Sequence, residues 1–540
     1  MVKISIATWL FFSVSVLSAQ ESGQCTEAAA TTSFRAGFQA QKALNTEEAL
    51  KHYKACLSVE PNCVACLYEI GWTHWTRSEW NDVVKTWEKV KAIEPTHGVV
   101  RTWLPQAIER RDGVPPRSGV DPIHVPMGTS SEGGGIRLTL ISRFQNYNTS
   151  PTSSGDNHDS WIFSPKSACF LEDGSRVYVN SLEGYQTVIY DPSTMSRVGR
   201  VKHRFGAAEA SLFQGENSVF GYQYNRRSPS GDPNHFKGKP VESALSHNSR
   251  YLWVPYYRRD FDHGATSPSA VSIIDTKTNN IVRVMPTGPI PKYVAISPNN
   301  QWAAIAHWGD NTLGVIDISS GDPTQFTYLP NRLVVEHVLS QKGLAGRNRD
   351  SSSSCGFCLR GTVFTPDSKT LLVSRMGKGG LAAFDVDTWS YLGTLTGEKP
   401  TPRHLVISPN GEWLYMSSNY SGYVSKARLS DLVTAFRSAN RKRVPFKDWE
   451  SVYVGTGART IELNGDGSLL FTAVNHSAEV VVIDPDSMKI LTRVRTDAYA
   501  VGLDVSPDGS QVWVTSQGRK DEGGGNSVCV FSVEKLDDSP

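Results

Sequence analysis

Basic side chains recur at one place in a repeated unit of this chain. Each unit opens on a short turn, and five residues before that turn stand Lys166, Val241, Lys292, Arg360, Arg403, Arg459 and Val501. Five of these seven are cationic. Converging Lys and Arg suit carboxylate, phosphate or sulfate oxygens, because a guanidinium fork meets two oxygens at once. Ten to twelve residues after the turn begins lie Ser181, Tyr256, His307, Arg375, Asn419, Asn475, His476 and Gln517. Both sets fall on one end of the repeat, where they would form a polar funnel of positive potential. The expected anion-binding set is Lys166, Lys292, Arg360, Arg403, Arg459, His307, Arg375 and His476. Alternatively, each cation pairs with a nearby acid such as Glu183 or Asp310, or reaches to water.

Catalytic chemistry has little to stand on. The chain has no HExxH, no GxSxG and no phosphate-binding glycine loop. His307 and His476 could bind metal or act as bases, but a histidine at a strand end is ordinarily a hydrogen-bonded rim residue. No catalytic residue, metal or cofactor is therefore assigned. Asp191, Asp275, Asp317, Asp385 and Asp484 recur with the repeat and are expected as turn residues. Of eight cysteines, the disulfide candidates are Cys25, Cys56, Cys63, Cys66, Cys355 and Cys358, with the pairing left open. Cys63 and Cys66, three apart, are expected on one face of a helix. Neither CxxC precedes a His, so covalent haem attachment is not indicated.

The elements that position these residues come from the repeat. Its turns are Leu171–Gly174, Ser246–Ser249, Ser297–Asn300, Thr365–Ser368, Ser408–Gly411, Asn464–Gly467 and Ser506–Gly509. In a Ser-Pro-Asp-Gly turn Pro presets φ, Asp bonds the backbone and Gly permits positive φ. An apolar strand follows each turn, then another that usually ends in Asp. One such unit cannot bury both faces, whereas several around an axis can. The SPDG and SPNG turns, with endings such as VVVIDPDSMKI and LGVIDISSG, resemble the YVTN-type β-propeller repeat, which is similar in turn to cytochrome d1-like and lactonase-like propellers. The resemblance implies a seven-bladed β-propeller over residues 136–535. The last unit lacks a fourth strand, and Ile136–Phe144 is expected to supply it and close the ring. Long insertions, 206–239 and 331–358, are expected as surface loops.

The pattern before the propeller is helical. Gly37, Ala49, Tyr53, Cys56 and Pro61 return 34 residues later as Gly71, Val83, Trp87, Val90 and Pro95. Small residues let paired helices approach, the aromatic fills the groove between them, and Pro ends the second helix. This resembles the tetratricopeptide repeat, which implies a helical domain over 25–112 and a protein partner. The Pro-, Gly- and Ser-rich stretch 113–135 is expected as a linker. Residues 1–19 carry a charged start, a short apolar run and small residues, as in a secretory signal peptide, and no other transmembrane segment is expected. The 14 Trp and 19 Tyr suit a strand-rich protein with aromatic blade packing. Net charge is +2, which gives no case for nucleic acid.

The sequence thus predicts a multidomain α plus all-β protein, a small helical module followed by a seven-bladed propeller. It is expected to be exported to the periplasm or beyond, as a non-enzymatic scaffold that binds protein partners through the helices and an anionic ligand or second partner through the funnel. The resemblances leave two other roles open: a lactonase-like hydrolase using the channel, and a cofactor-carrying redox propeller.

Overall fold

The computed structural model describes residues 25–43, 45–76, 79–97, 100, 103–104, 107–108, 124–213, 219–220, 231–232, 234–262, 267–339, 355–518 and 526–536. The expected signal peptide lies outside them. Two compact units divide the chain, Met1–Asp121 and Pro122–Pro540.

Four helices of the first unit have both ends among the described residues, α1 (Ala28–Lys42), α2 (Thr46–Val59), α3 (Val64–Thr76) and α4 (Trp80–Ile93). The Asn45 side chain caps α2 by accepting from the Glu48 N–H at 3.2 Å. The two glycines sit where the 34-residue spacing puts them. A Cβ on Gly37 would meet the Tyr53 ring at 2.7 Å, and one on Gly71 would meet Trp87 Nε1 at 2.0 Å. Each helix pair thus closes around an aromatic ring that needs a bare backbone opposite it. Trp72, Trp75, Trp80, Trp87 and Trp103 then pack edge to face, with centroids as close as 5.0 Å. With Trp9, six of the 14 Trp fall in this unit. Disulfides join Cys25 to Cys63 and Cys56 to Cys66. Cys63 precedes α3 instead of lying on it, so Cys63 and Cys66 do not share a helix face but hold two different strands of chain.

Seven antiparallel-based sheets make up the second unit, which is a seven-bladed β-propeller. Blade 1 shows the plan: Pro165–Phe170 innermost, then Val177–Ser181, Gln186–Asp191 and Ser196–Lys202. Blades 3 to 6 begin on Pro291–Ile296, Leu359–Phe364, Pro402–Ile407 and Ala458–Leu463, and blade 7 on Ala500–Val505. Their turns repeat one device. The side chain of the first turn residue accepts an N–H five residues on, as in Gln511 to Ser506 Oγ (2.9 Å), Trp413 to Ser408 Oγ (3.0 Å) and Leu469 to Asn464 Oδ1 (2.8 Å). Gly174, Gly411, Gly467 and Gly509 take φ between 71° and 74°. The strand-end acids are turn residues: Asp191 and Asp317 each accept the N–H two residues on, at 3.0 and 2.9 Å.

Closure follows the expected route. Ile136–Gln145 pairs antiparallel with Ser527–Lys535, from Ile136 opposite Lys535 to Gln145 opposite Ser527. A further strand, Ser130–Gly133, pairs outside it. Residues 124–135 are thus folded against blade 7, with Val125 N–H donating to Asp497 Oδ1 at 2.9 Å. In blade 2 the inner edge is split between Phe236–Pro240, from the expected insertion, and Ala244–Ser246. A helix the repeat does not announce, α5 (Leu429–Ala439), buries Leu432 and Phe436 against blades 4 and 5.

Candidate functional site

The basic residues of the repeat stand on β-bulges. In six blades the first residue of the innermost strand faces the last residue of the second strand, as Pro165 faces Ser181 and Pro402 faces Ser418, and the register then slips at once. Lys166, Lys292, Arg360, Arg403, Arg459 and Val501 occupy these slips. A bulge redirects a side chain that regular pleating would send elsewhere. Here it is repeated around a ring, so the side chains meet.

Lys166, Arg360, Arg403 and Arg459 are 7%, 4%, 5% and 9% exposed. They come from blades 1, 4, 5 and 6, yet all three guanidiniums act on the Lys166 amine. Glu242 is the acid that joins them, accepting from Arg360 Nη2 at 3.1 Å. Arg403 Nη2 and Arg459 Nε are buried without hydrogen-bond partners. Burial first, then Arg360 and Arg459, disfavour the charged form of Arg403. A guanidinium does not give up its proton in a protein, so the repulsion stays in the site. Lys166 is held well below the usual lysine range by burial, then by Arg459, Arg360 and Arg403.

The backbone beneath this cluster is clamped between blades. Ser374 Oγ donates to the Arg403 carbonyl (2.8 Å), Ser417 Oγ to that of Arg459, and Thr515 Oγ1 to that of Lys166 (3.1 Å). Gly361 and Gly502 let neighbouring strands close: a Cβ on them would lie 2.5 Å from the Arg403 carbonyl and 2.4 Å from that of Lys166.

A second layer follows along the same strands. Tyr293 Oη and His404 Nε2 are 3.0 Å apart. Burial, then Arg360 and Arg403, push His404 down to about 3, so it is neutral. Glu462 and Asp504 come next, each acting on the thiol of Cys169. Burial first, then Asp504, raises Glu462, and burial raises Asp504. Asp504 also accepts the Phe170 N–H at 2.7 Å. Glu242, Tyr293, His404, Glu462 and Asp504 were absent from the sequence-derived set. Three of this layer were within reach, because Cys169, Glu462 and Asp504 all stand two residues before their turns.

The other expected residues are placed elsewhere. Lys292 lies over the rings of Tyr257 (4.0 Å) and Trp308 (5.4 Å). His307 is fully buried. Its Nε2 accepts from Gly288 N–H (3.0 Å) and bonds Thr287 Oγ1 (2.7 Å), and its Nδ1 bonds Thr312 Oγ1 (2.9 Å). Burial brings it down to about 3. Both nitrogens are engaged, so His307 is a neutral tether inside blade 3 with nothing to offer a ligand or metal. Arg375 is also fully buried, bonded to Glu336 and Thr394 and 3.8 Å above the Phe357 ring. It anchors the loop closed by the Cys355–Cys358 disulfide, and Phe357 N–H donates to Asn311 Oδ1 at 2.7 Å. His476 is half-buried in the turn between the second and third strands of blade 6.

No family model matches the sequence, and no curated protein matches it. Among solved structures, Kuenenia stuttgartiensis hydrazine synthase is similar at a TM-score of 0.47, with 13% identity over 72% of this chain and 100% of the other. The Myceliophteria thermophila Cps50 (Swd1) β-propeller domain is similar at 0.47, with 14% identity over 72% and 100%. The seven-bladed assignment rests on the strand order, not on these likenesses.

Proposed function

We propose that the protein is an exported binding protein whose propeller funnel takes an anionic ligand and whose helical unit takes a protein partner. One observation carries the ligand reading: four basic side chains are aimed by repeated bulges into one place, with Glu242 the acid hydrogen-bonded among them. A purely structural ring would be neutralised pair by pair, as Arg375 is by Glu336 and Lys239 by Glu183. Tetratricopeptide-like packing of Gly37 on Tyr53 and of Gly71 on Trp87 supports the partner reading. Two disulfides in the helical unit are compatible with an oxidising compartment, and no described helix is long and apolar enough to cross a membrane.

Thermal melts with sulfate, phosphate or oxalate test the funnel. The double variant Arg403→Glu, Arg459→Glu is expected to lose all anion-induced stabilisation while keeping the circular dichroism of the unaltered chain. Stabilisation that survives in this variant would place the anion elsewhere.

A further inference from the structure

Two lysines share the repeat position, and their surroundings differ in kind. Lys292 is cradled by two aromatic faces, which hold an ammonium in place. Lys166 has no aromatic face and no hydrogen-bonded acid among the described residues. It is more than nine-tenths buried, and its charged neighbours are Arg360, Arg403, Arg459 and Glu242. An amine confined beside fixed cations loses its proton readily and becomes a nucleophile. The guanidiniums around it are what a carboxylate would seek.

We propose that Lys166 is a nucleophilic amine and that the funnel captures an anionic carbonyl compound of the 2-oxo acid class as an imine on Lys166 Nζ. This rests on the anion-binding reading above and names its ligand class. Arg403 and Arg459, which carry unpartnered N–H groups, hold the carboxylate. The Nζ lone pair attacks the adjacent carbonyl carbon, and the carbonyl π pair moves to oxygen. A proton passes from nitrogen to that oxygen, with Glu242 the carboxylate at hand to relay it. The second nitrogen proton then joins the hydroxyl by the same relay, the hydroxyl leaves as water, and C=N replaces C=O. One water is released, no electrons change hands, and no further reactant is needed. The clamp from Thr515 Oγ1 and the close approach of Gly502 fix the Lys166 backbone, so the amine meets a held carboxylate at a set distance.

The test is reductive trapping on the full chain. Pyruvate is the probe, cyanoborohydride reduces any imine, and peptide mass spectrometry locates the adduct. The adduct is expected at Lys166 at about ten times or more the level at Lys292 and surface lysines, and it should persist near neutral pH. Ordinary lysines should lose reactivity about tenfold per pH unit below their pKa. Oxalate, an anion without a ketone, should protect Lys166. Lys166→Arg should abolish the adduct and retain oxalate-induced stabilisation. If oxalate stabilises the unaltered chain but pyruvate labels only surface lysines, the imine proposal falls and the anion funnel stands. If oxalate neither stabilises nor protects and no adduct forms, both fall. An adduct at Lys166 that oxalate does not block overturns the 2-oxo acid assignment. Should Lys166→Arg fail to fold, oxalate protection and the pH profile of the unaltered chain still decide the matter.

Discussion

At the scale of single residues, the channel is a stack of unlike charges, and its acidic layer makes a prediction independent of any ligand. Glu462 and Asp504 come from adjacent blades, and burial raises both above the ordinary carboxylate range. A carboxyl whose folded pKa is raised contributes stability at low pH, where it is protonated in both states. That contribution is lost as pH climbs from the ordinary carboxylate range, about 4, through the raised value. Gln mimics the protonated acid at every pH. Glu462→Gln should therefore gain melting temperature relative to the unaltered chain between about pH 5 and about pH 8, with the difference near zero at the acidic end. A difference that stays constant across this range would mean the carboxylates are well solvated. The cations of the site were legible from sequence because they hold one repeat position. Glu242, Tyr293 and His404 also share one position, four residues before their turns, but that position holds unlike residue types from unit to unit, so no common chemistry marks it before the ring closes. His307 and Arg375 fit the pattern equally well but turn into the blades, where Thr287 and Thr312 bond both nitrogens of the first and Glu336 pairs with Nη1 of the second.

At the scale of elements, the helical unit depends on two missing side chains. Gly71 would place a Cβ 2.0 Å from the Trp87 indole, itself fully buried and donating Nε1–H to the Tyr68 carbonyl at 3.2 Å. Gly71→Ala gains up to about 1 kcal/mol of helix propensity, but Trp87 cannot retreat among its tryptophan neighbours. Overpacking of this sort costs about 1–3 kcal/mol, so the variant should lose stability on balance in urea unfolding followed by tryptophan fluorescence. Gly37→Ala meets a ring edge at 2.7 Å and should cost less. An unchanged midpoint for Gly71→Ala would mean that the helices part without penalty. This pair was readable in advance because a helix hairpin imposes a fixed spacing on its contacts. The α5 helix was harder to see. Leu429, Leu432 and Phe436 have helical spacing and Asn440 closes the helix at φ 49°, but the segment interrupts a strand repeat whose period dominates its surroundings. Blade 2 hides its inner edge for a related reason, since Phe236–Pro240 comes from an insertion and carries no turn motif of its own.

At the scale of the whole propeller, stability depends on one seam. Five blades are built from chain that is continuous or nearly so and blade 4 borrows only the short outer strand Arg443–Pro445 from within the span of blade 5, whereas blade 7 joins residues 500–535 to residues 130–145. The seam is long: Ile136–Gln145 runs the length of Ser527–Lys535, and Leu138, Leu140, Val512, Val514 and Phe531 share one buried cluster. Arg143 reinforces it, bonding Asp156 on one side and Asp497 on the other from a nearly dry position. Ring closure was predictable from strand arithmetic, because a unit with three strands at one end and a lone strand at the other have one another as partners. Without the lone strand, Ser527–Lys535 becomes an open edge and blade 7 loses its cover. Removing one partner of a buried ion pair costs about 3–5 kcal/mol, since the other charge is left uncompensated. Arg143→Met removes that tie while leaving every strand in place. Its expected result is a lower melting temperature together with faster hydrogen exchange in residues 136–145 and 527–535, and with blades 3 and 4 unchanged until global unfolding. Exchange that rises equally in all blades would show that the ring opens as a single cooperative body, with no weak point at its closure.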